Sequence, residues 1–176
     1  SDARWFGLEP KKGLWKFDEL DQSVNVAGQH NVEILLTLGQ TPTWAAARPE
    51  EIVHNGPGAS SEPARMDDWE NYIRTVARRY KGRIKYYELW NEPRFREVEP
   101  YRIEPGFTGY ASQMVELGRV AKRVIREEDP AAILISPAND RHEIGLARVK
   151  QWFKLGGGEV SPILAHHYYV RPPEEM

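Results

Sequence analysis

YYELWNEP, residues 86–93, decides the fold of this chain. This apolar and aromatic run follows a glycine turn and ends at Pro93, which cannot continue a hydrogen-bonded ladder and biases the preceding residue towards an extended backbone. The pattern therefore predicts a buried strand with the carboxylate of Glu92 at its end. Because side chains alternate along a strand, Glu88, Trp90 and Glu92 are expected to share one face unless a bulge intervenes.

Length and composition indicate a single packed domain, residues 1–176. The chain is 40% hydrophobic and 11% aromatic, which is enough for one sizeable core. A net charge of −2 provides no basic surface for nucleic acid, and no apolar run approaches the ~18 residues of a membrane helix. The absence of Cys excludes disulfides, thiolate nucleophiles and Cys-ligated metals. We therefore expect neither a nucleic-acid partner nor a membrane partner.

Strand and helix patterns alternate along the whole chain. Apolar runs predict five strands, over residues 4–8, 32–38, 84–90, 132–136 and 163–169. Apolar residues at helical spacing predict four helices between them, over residues 18–28, 67–82, 107–129 and 144–155. Strict alternation of this kind predicts an α/β fold with a parallel sheet and right-handed crossovers.

Long loops follow two of the predicted strands. Residues 41–64 and the segment after Pro93 are rich in turn-forming residues, whereas the connection from the helix before Ile84 is tight. The long loops are therefore expected at the carboxyl ends of the strands, where barrels and open α/β sheets place their active sites.

Glu92 lies at this end of the predicted sheet, directly after Asn91. A titratable carboxyl beside an amide suits general acid catalysis. Position alone is also compatible with a solvated carboxylate at a loop entrance, which is the more frequent case. The two interpretations differ in what surrounds the side chain.

The motif WNEP, residues 90–93, resembles the signature of the retaining (β/α)8-barrel glycoside hydrolases of clan A. This resemblance implies that Glu92 is the catalytic acid/base and that Asn91 hydrogen-bonds the 2-hydroxyl of the sugar. It also implies hydrolysis of O-glycosidic bonds in a glycoside or polysaccharide.

Further segments extend the resemblance over nearly the whole chain. RW at residues 4–5 is similar to the second strand of the clan, LTLGQTPTWA at 36–45 to the third, SPA at 136–138 to the fifth and HHY at 166–168 to the sixth. Together they resemble glycoside hydrolase family 39. The fold implied is a partial (β/α)8 barrel whose strands correspond to the second through sixth.

The resemblance and the residue types suggest further substrate-binding side chains. His166 and Tyr168 form the pair that the resemblance places at the site. Asn139 is a candidate for a hydroxyl contact. Trp44 follows a proline in the long loop and could stack on a sugar ring, although a packing role explains a tryptophan equally well.

The retaining mechanism needs a second carboxylate about 5 Å from the first. In the families that this chain resembles, that nucleophile ends the seventh strand, so we assign no nucleophile here. We expect the chain to be part of a larger polypeptide, or to assemble with a complement that supplies the remaining barrel strands. The mechanism requires no metal and no organic cofactor.

Two other functions are compatible with the same residues. The first is a carbohydrate-binding barrel or fragment without catalysis. The second is a metal-dependent hydrolase with Glu88, Glu92 and His166 as ligands.

Overall fold

The computed structural model describes residues 3–99, 106–140 and 143–167. Its helices are α1 (Trp5–Leu8), α2 (Asp18–Gln29), α3 (Met66–Arg79), α4 (Ala111–Glu128), α5 (Glu143–Lys154) and α6 (Gly157–Val160). Its strands are β1 (Leu35–Leu38), β2 (Ile52–Val53), β3 (Gly56–Pro57), β4 (Tyr86–Leu89) and β5 (Ile133–Ile135). Within these described ranges, no helix has the length and apolar character needed to cross a bilayer.

A parallel sheet with the order β1-β4-β5 forms the centre of the molecule. Leu35 lies opposite Tyr86 on one side of β4, and Tyr86 lies opposite Ile133 on the other. A parallel bridge from Ile135 to Ile163 brings the segment after α6 alongside β5. The predicted α/β fold, with residues 86–93 at its centre, is confirmed.

The two faces of this sheet differ in chemistry. Leu36, Leu38, Tyr87 and Leu89 belong to one buried apolar core together with residues of α2, α3 and α4. The opposite face carries the alternate residues, among them Glu88. Burial of the first set stabilises the packing of the helices on the sheet, because apolar side chains leave water.

The four predicted helices are confirmed as α2 to α5, with shifted ends. The helix predicted from residue 107 begins only at Ala111. Tyr110 precedes it in an extended conformation, and its backbone N–H donates to the side chain of Gln113 at 2.7 Å. This hydrogen bond satisfies a backbone N–H at the start of α4 and helps to fix the residue at which the helix begins.

The first predicted strand, residues 4–8, is wrong, because these residues form the helical turn α1. The backbone N–H of Leu8 donates to the carbonyl of Arg4 at 2.9 Å, which closes the turn. The indole N–H of Trp5 donates to the carboxylate of Glu9 at 2.9 Å, a contact that requires helical spacing. The turn still lies beside β1, since the N–H of Trp5 donates to the carbonyl of Gly39 at 3.1 Å.

The last predicted strand, residues 163–169, is present only as single bridges. Besides the bridge to Ile163, a second parallel bridge joins Asn139 to His166. Residues 168 and 169 lie outside the described part of the chain.

The loops after β1 and β4 are joined to each other by polar contacts that are buried or partly buried. The backbone N–H of Thr108 donates to the carbonyl of Ser60 at 2.8 Å. Arg48 donates to the hydroxyl of Thr108 at 2.9 Å and to the carboxylate of Glu51 at 2.8 Å. Both loops leave the carboxyl ends of their strands, so these contacts fix the surroundings of the residues that follow β4.

Candidate active site

The backbone after β4 takes an unusual path through Trp90 and Glu92. Their φ angles are 68° and 44°, in the left-handed region that side chains other than glycine rarely adopt. Each such residue costs about 1–3 kcal/mol, and these conformations cluster at functional sites. The strain therefore marks Glu92 as a candidate functional residue on grounds independent of any motif.

Two glycines allow this path. A Cβ on Gly39 would lie 2.5 Å from the ring of Trp90, and a Cβ on Gly106 would lie 2.3 Å from the carbonyl oxygen of Glu92. The backbone N–H of Glu92 donates to the carbonyl of Ala138 at 2.9 Å, which ties the path to the end of β5. The strained conformation is thus imposed by close packing on both sides.

The left-handed residue at Trp90 breaks the expected alternation of side chains. Trp90 is fully buried in the apolar core, where its ring packs edge-on against Phe107 with centroids 5.0 Å apart. Trp90 therefore does not share a face with Glu88, because its φ rotates the following backbone. The expectation of a common face for Glu88, Trp90 and Glu92 is wrong in this respect.

The carboxylate of Glu92 is partly exposed, and the described part of the chain places two nitrogen-bearing side chains beside it. Its side chain is 18% exposed, so a substrate can reach it. Nδ1 of His167 lies 2.9 Å from Oε1 of Glu92, which is a hydrogen-bonding distance. Nη2 of Arg94 lies 3.7 Å from Oε2. A bare, solvated carboxylate at a loop entrance would have neither neighbour.

His167, and not His166, faces Glu92. The expectation that His166 is the histidine at the site is corrected by this contact. Neighbouring residues of an extended segment point to opposite sides, and the N–H of His167 donates to the carbonyl of Asn139 at 2.7 Å, which sets the register. His166 is exposed to solvent, and its predicted partner Tyr168 lies outside the described residues.

Asn139 lies in the same bridge and is buried, with only 2% of its surface exposed. Its side-chain Nδ2 donates to the carbonyl of Pro137 at 3.1 Å, whereas its Oδ1 has no hydrogen-bond partner in the described part of the structure. Asn91 is half-buried and bridges Ala138 through its backbone. The proposed hydroxyl contacts of Asn139 and Asn91 remain predictions.

Trp44 is half-buried in the loop after β1. Its indole N–H donates to the carbonyl of Glu9 at 2.8 Å, and its ring meets Trp5 edge-on at 6.0 Å. The ammonium of Lys12 lies 5.6 Å from the ring centroid. These contacts give Trp44 a packing role, and its role as a sugar platform remains a prediction.

Glu88 lies on the same strand as Glu92 and is buried, with 5% exposure. Burial raises the pKa of its carboxyl, and the nearby charge of Glu92 acts in the same direction. The hydroxyl of Thr37, which donates to Oε2 at 2.8 Å, and the charge of His167 oppose this rise. A buried carboxyl that accepts a hydrogen bond from Thr37 fits a structural role for Glu88.

Sequence reasoning missed two residues of this site, His167 and Arg94. The choice between adjacent histidines depends on the register of the last segment, which no local pattern carries. The sequence contained a weak indication of Arg94, because this residue follows Pro93 and lies only two residues after the candidate acid. Across the described ranges, no group of three His, Cys, Asp or Glu side chains is arranged to hold a metal ion, so the ligand set Glu88, Glu92 and His166 is not assembled.

Comparisons with known proteins agree on one family. The family model for glycosyl hydrolase family 10 matches residues 2–144. Endo-1,4-beta-xylanase C of Paenibacillus barcinonensis is 27% identical over 150 residues, which are 73% of this chain and 12% of that protein. A family 10 structure from the same organism has a TM-score of 0.64 at 18% identity and covers 98% of this chain and 54% of that one.

The structural likeness shows the fold, a partial (β/α)8 barrel as predicted. The chain spans about half the length of the similar solved structure and less of the xylanase sequence. A family 39 glycoside hydrolase from Bacteroides cellulosilyticus is also similar, with a TM-score of 0.51 and 20% identity over 76% of this chain and 24% of that one. The likeness to clan A is confirmed, whereas the closer likeness to family 39 is not, because family 10 fits better.

Proposed function

The chain belongs to glycosyl hydrolase family 10, and on that premise we propose that it supplies the acid/base half of a retaining glycosidase. The observation that carries this proposal is the strained, partly exposed Glu92 at the end of β4, held between His167 and Arg94. Backbone strain of this kind clusters at active sites and ligand clamps, which fits a functional carboxylate at this position. The metal-site alternative has no assembled ligand group among the described residues.

In the proposed mechanism, Glu92 acts twice in each turnover. It first protonates the leaving glycosidic oxygen while a nucleophile displaces it, and then, as a carboxylate, it activates the water that hydrolyses the glycosyl-enzyme intermediate. The contact from His167 holds Oε1 and so restricts the rotation of the carboxyl group. Asn91, directly before Glu92, is the residue proposed to hold the 2-hydroxyl.

The nucleophile is proposed to come from a barrel strand that this chain does not contribute. Glu88 is unsuited to the role, because it is buried and accepts a hydrogen bond from Thr37. Retention needs a second carboxylate about 5 Å from Glu92, on the side where the sugar lies. The strand that follows the segment with His167 in a complete barrel would border this side.

Xylan is the substrate that we propose first, because the curated relative at 27% identity is an endo-1,4-beta-xylanase. We expect the protein that contains this chain to release sugars from β-1,4-xylan with retained anomeric configuration. Proton NMR of the first products, recorded before mutarotation, measures this directly. Initial products of inverted configuration, or release from β-1,4-glucan but none from xylan, would contradict the mechanism or the substrate respectively.

The remaining barrel strands are the partner that we propose for this chain, from the same polypeptide or from a complementing one. Apolar side chains are exposed at both edges of the sheet. Val32 and Leu35 are 60% and 47% exposed beside the edge strand β1, and Ile163 and Leu164 are 40% and 48% exposed at the other edge. An edge strand with apolar neighbours pairs readily with further strands, so these exposed residues support the proposal that further strands pair here.

We expect residues 1–176 alone to self-associate, to bind a hydrophobic dye and to lack glycosidase activity. Light scattering, dye fluorescence and xylan hydrolysis measure these properties. The variant Val32→Lys/Leu35→Lys should self-associate less, whereas Lys81→Glu, at an exposed helix end, should behave like the parent. A monomeric, active isolated chain would show that the remaining strands are not needed.

A further inference from the structure

Arg48 connects the two long loops at the carboxyl end of the sheet. Its Nε donates to Glu51 at 2.8 Å and its Nη1 to Glu62 at 2.5 Å, both within the loop after β1. Its Nη2 donates to the hydroxyl of Thr108 at 2.9 Å, in the loop after β4. The three charged side chains are between 12% and 19% exposed, so little water competes for these hydrogen bonds. We call these four residues the Arg48 cluster.

Within the loop after β1, Arg48 also supports the residues that hold the second loop. Its backbone N–H donates to the hydroxyl of Ser61 at 3.0 Å. The adjacent Ser60 is buried, and its carbonyl accepts from the backbone N–H of Thr108 at 2.8 Å. The hydroxyl of Ser60 accepts from the backbone N–H of Gly106 at 3.3 Å. The first loop therefore holds Gly106 and Thr108 in place.

The other side of this segment packs against the left-handed turn at Glu92. A Cβ on Gly106 would lie 2.3 Å from the carbonyl oxygen of Glu92, so the two backbones are in direct contact. The ring of Phe107 packs edge-on against Trp90, with centroids 5.0 Å apart. The carbonyl of Phe107 accepts from the backbone N–H of Arg94 at 2.7 Å. One short segment thus contacts the turn before, at and after Glu92.

The turn depends on such neighbours. A non-glycine residue with a φ of 44° is strained, and a strained conformation persists only where the surrounding structure holds it. If the segment next to Glu92 could move away, the turn would be free to relax and would carry the carboxyl group with it. A catalytic group that is misplaced by about 1 Å can lose about 10²-fold in rate. The support behind this segment therefore bears on the chemistry at Glu92.

We propose that Arg48 is a positioning residue for Glu92. Through Thr108 and the loop that contains Ser60, it holds residues 106–108 against the left-handed turn and so keeps the carboxyl group in place. The proposal rests on the proposed function in giving Glu92 the role of acid/base. The contact between the Arg48 cluster and the turn is a property of the folded protein, and it can be measured without turnover.

Hydrogen–deuterium exchange in the protein that contains this chain measures the state of the turn. The backbone N–H of Glu92 donates to Ala138 and that of Arg94 donates to Phe107, so exchange at these two amides reports opening of the turn. Arg48→Met removes the side-chain hydrogen bonds of the cluster. We expect exchange at both amides to become several-fold faster, with parental exchange along β4.

Thr108 provides a matched pair of variants. Thr108→Val keeps the shape of the side chain but loses the hydroxyl that Arg48 binds, so it should speed exchange at both amides, by less than Arg48→Met. Thr108→Ser keeps the hydroxyl and should exchange like the parent. Arg65→Met is the control for loss of an arginine, since Arg65 forms an exposed pair with Asp67 at the end of the same loop. It should leave both amides unchanged.

Two results would overturn the proposal. Parental exchange at Glu92 in Thr108→Val would mean that the cluster does not act on the turn. Exchange that becomes equally faster along β4 would mean that the cluster stabilises the fold as a whole and has no particular effect on the turn. If Arg48→Met does not fold, as judged by circular dichroism, the comparison of Thr108→Val with Thr108→Ser decides alone.

The kinetic consequence depends on the proposed function. Arg48→Met should lower the hydrolysis of unactivated xylan oligosaccharides by about 10-fold to 100-fold, because their leaving group needs a proton from a correctly placed Glu92. The first step with an activated aryl glycoside, followed as a burst of released aryl group, should keep its parental rate. Equal losses with the two substrates would contradict a positioning role.

Failure of the proposed function and failure of the positioning contact give different results. Faster local exchange in a protein that hydrolyses no glycoside would support the contact between the Arg48 cluster and the turn, and it would contradict the function. Parental exchange in Arg48→Met and Thr108→Val, in a protein that hydrolyses xylan, would do the reverse.

Discussion

Glu92→Gln is expected to lower the hydrolysis of unactivated xylan by about 10²–10⁴-fold in the protein that contains this chain. Glutamine keeps the size and hydrogen-bonding capacity of the side chain but cannot transfer a proton. Because a glycosidic oxygen is a poor leaving group, its departure depends on protonation, so the first chemical step should become rate-limiting. Reducing-sugar release from xylan oligosaccharides measures the loss.

An activated aryl glycoside separates this mechanism from simple damage to the site. Its leaving group needs no proton, so the variant should still form the covalent intermediate and should then accumulate it for lack of a general base. Added azide should restore turnover, because it attacks without base catalysis.

Glu50→Gln, in the exposed part of the loop after β1, is the matched control and should retain parental activity. Equal rates for Glu92→Gln and the parent on unactivated xylan oligosaccharides would exclude Glu92 as the acid/base.

The parts of the fold that sequence could predict are those that depend on periodicity. The strand that ends before Glu92 was recognisable because an apolar run stops at a proline, and α3 was recognisable because its buried residues recur at helical spacing. These patterns indicate only which residues become buried when the chain folds. They therefore locate Glu92 at the carboxyl end of the sheet but say nothing about what surrounds it.

The errors arise where long-range contacts override a local pattern. Aromatic residues at 4–8 favour a strand, yet the bond from Trp5 to Glu9 and the contacts with the end of β1 stabilise a turn instead. The left-handed Trp90 depends on the space that Gly39 leaves, a contact between residues far apart in sequence. His167 reaches Glu92 across 75 residues.

The buried ion pairs of Asp140 with Arg94 and Arg148 were also beyond local inference. The three residues come from the loop after β4, the end of β5 and α5, and each is an ordinary charged residue in its own segment. Their burial becomes visible only when these elements are packed together. Buried ion pairs of this kind are thus a property of the fold, and they cannot be read from the composition of any one stretch.

Gly39→Ala is expected to destabilise the protein by about 2–6 kcal/mol. The residue has a φ of 122°, which costs an alanine about 1–3 kcal/mol. The added Cβ would lie 2.5 Å from the ring of Trp90, and such overpacking costs about 1–3 kcal/mol more. Urea unfolding at equilibrium measures the loss of stability.

The same variant should also lower activity, because Trp90 directly precedes Asn91 and Glu92. If the ring moves away from residue 39, the left-handed turn changes and the carboxylate leaves His167. Gly28→Ala is the matched control, since this glycine lies within α2 and an added Cβ meets no atom within 4 Å. It should be stabilising by a few tenths of a kcal/mol, up to about 1 kcal/mol, because alanine favours the helix. Equal urea midpoints for the two variants would mean that the close approach of Gly39 to Trp90 does not hold the turn at Glu92.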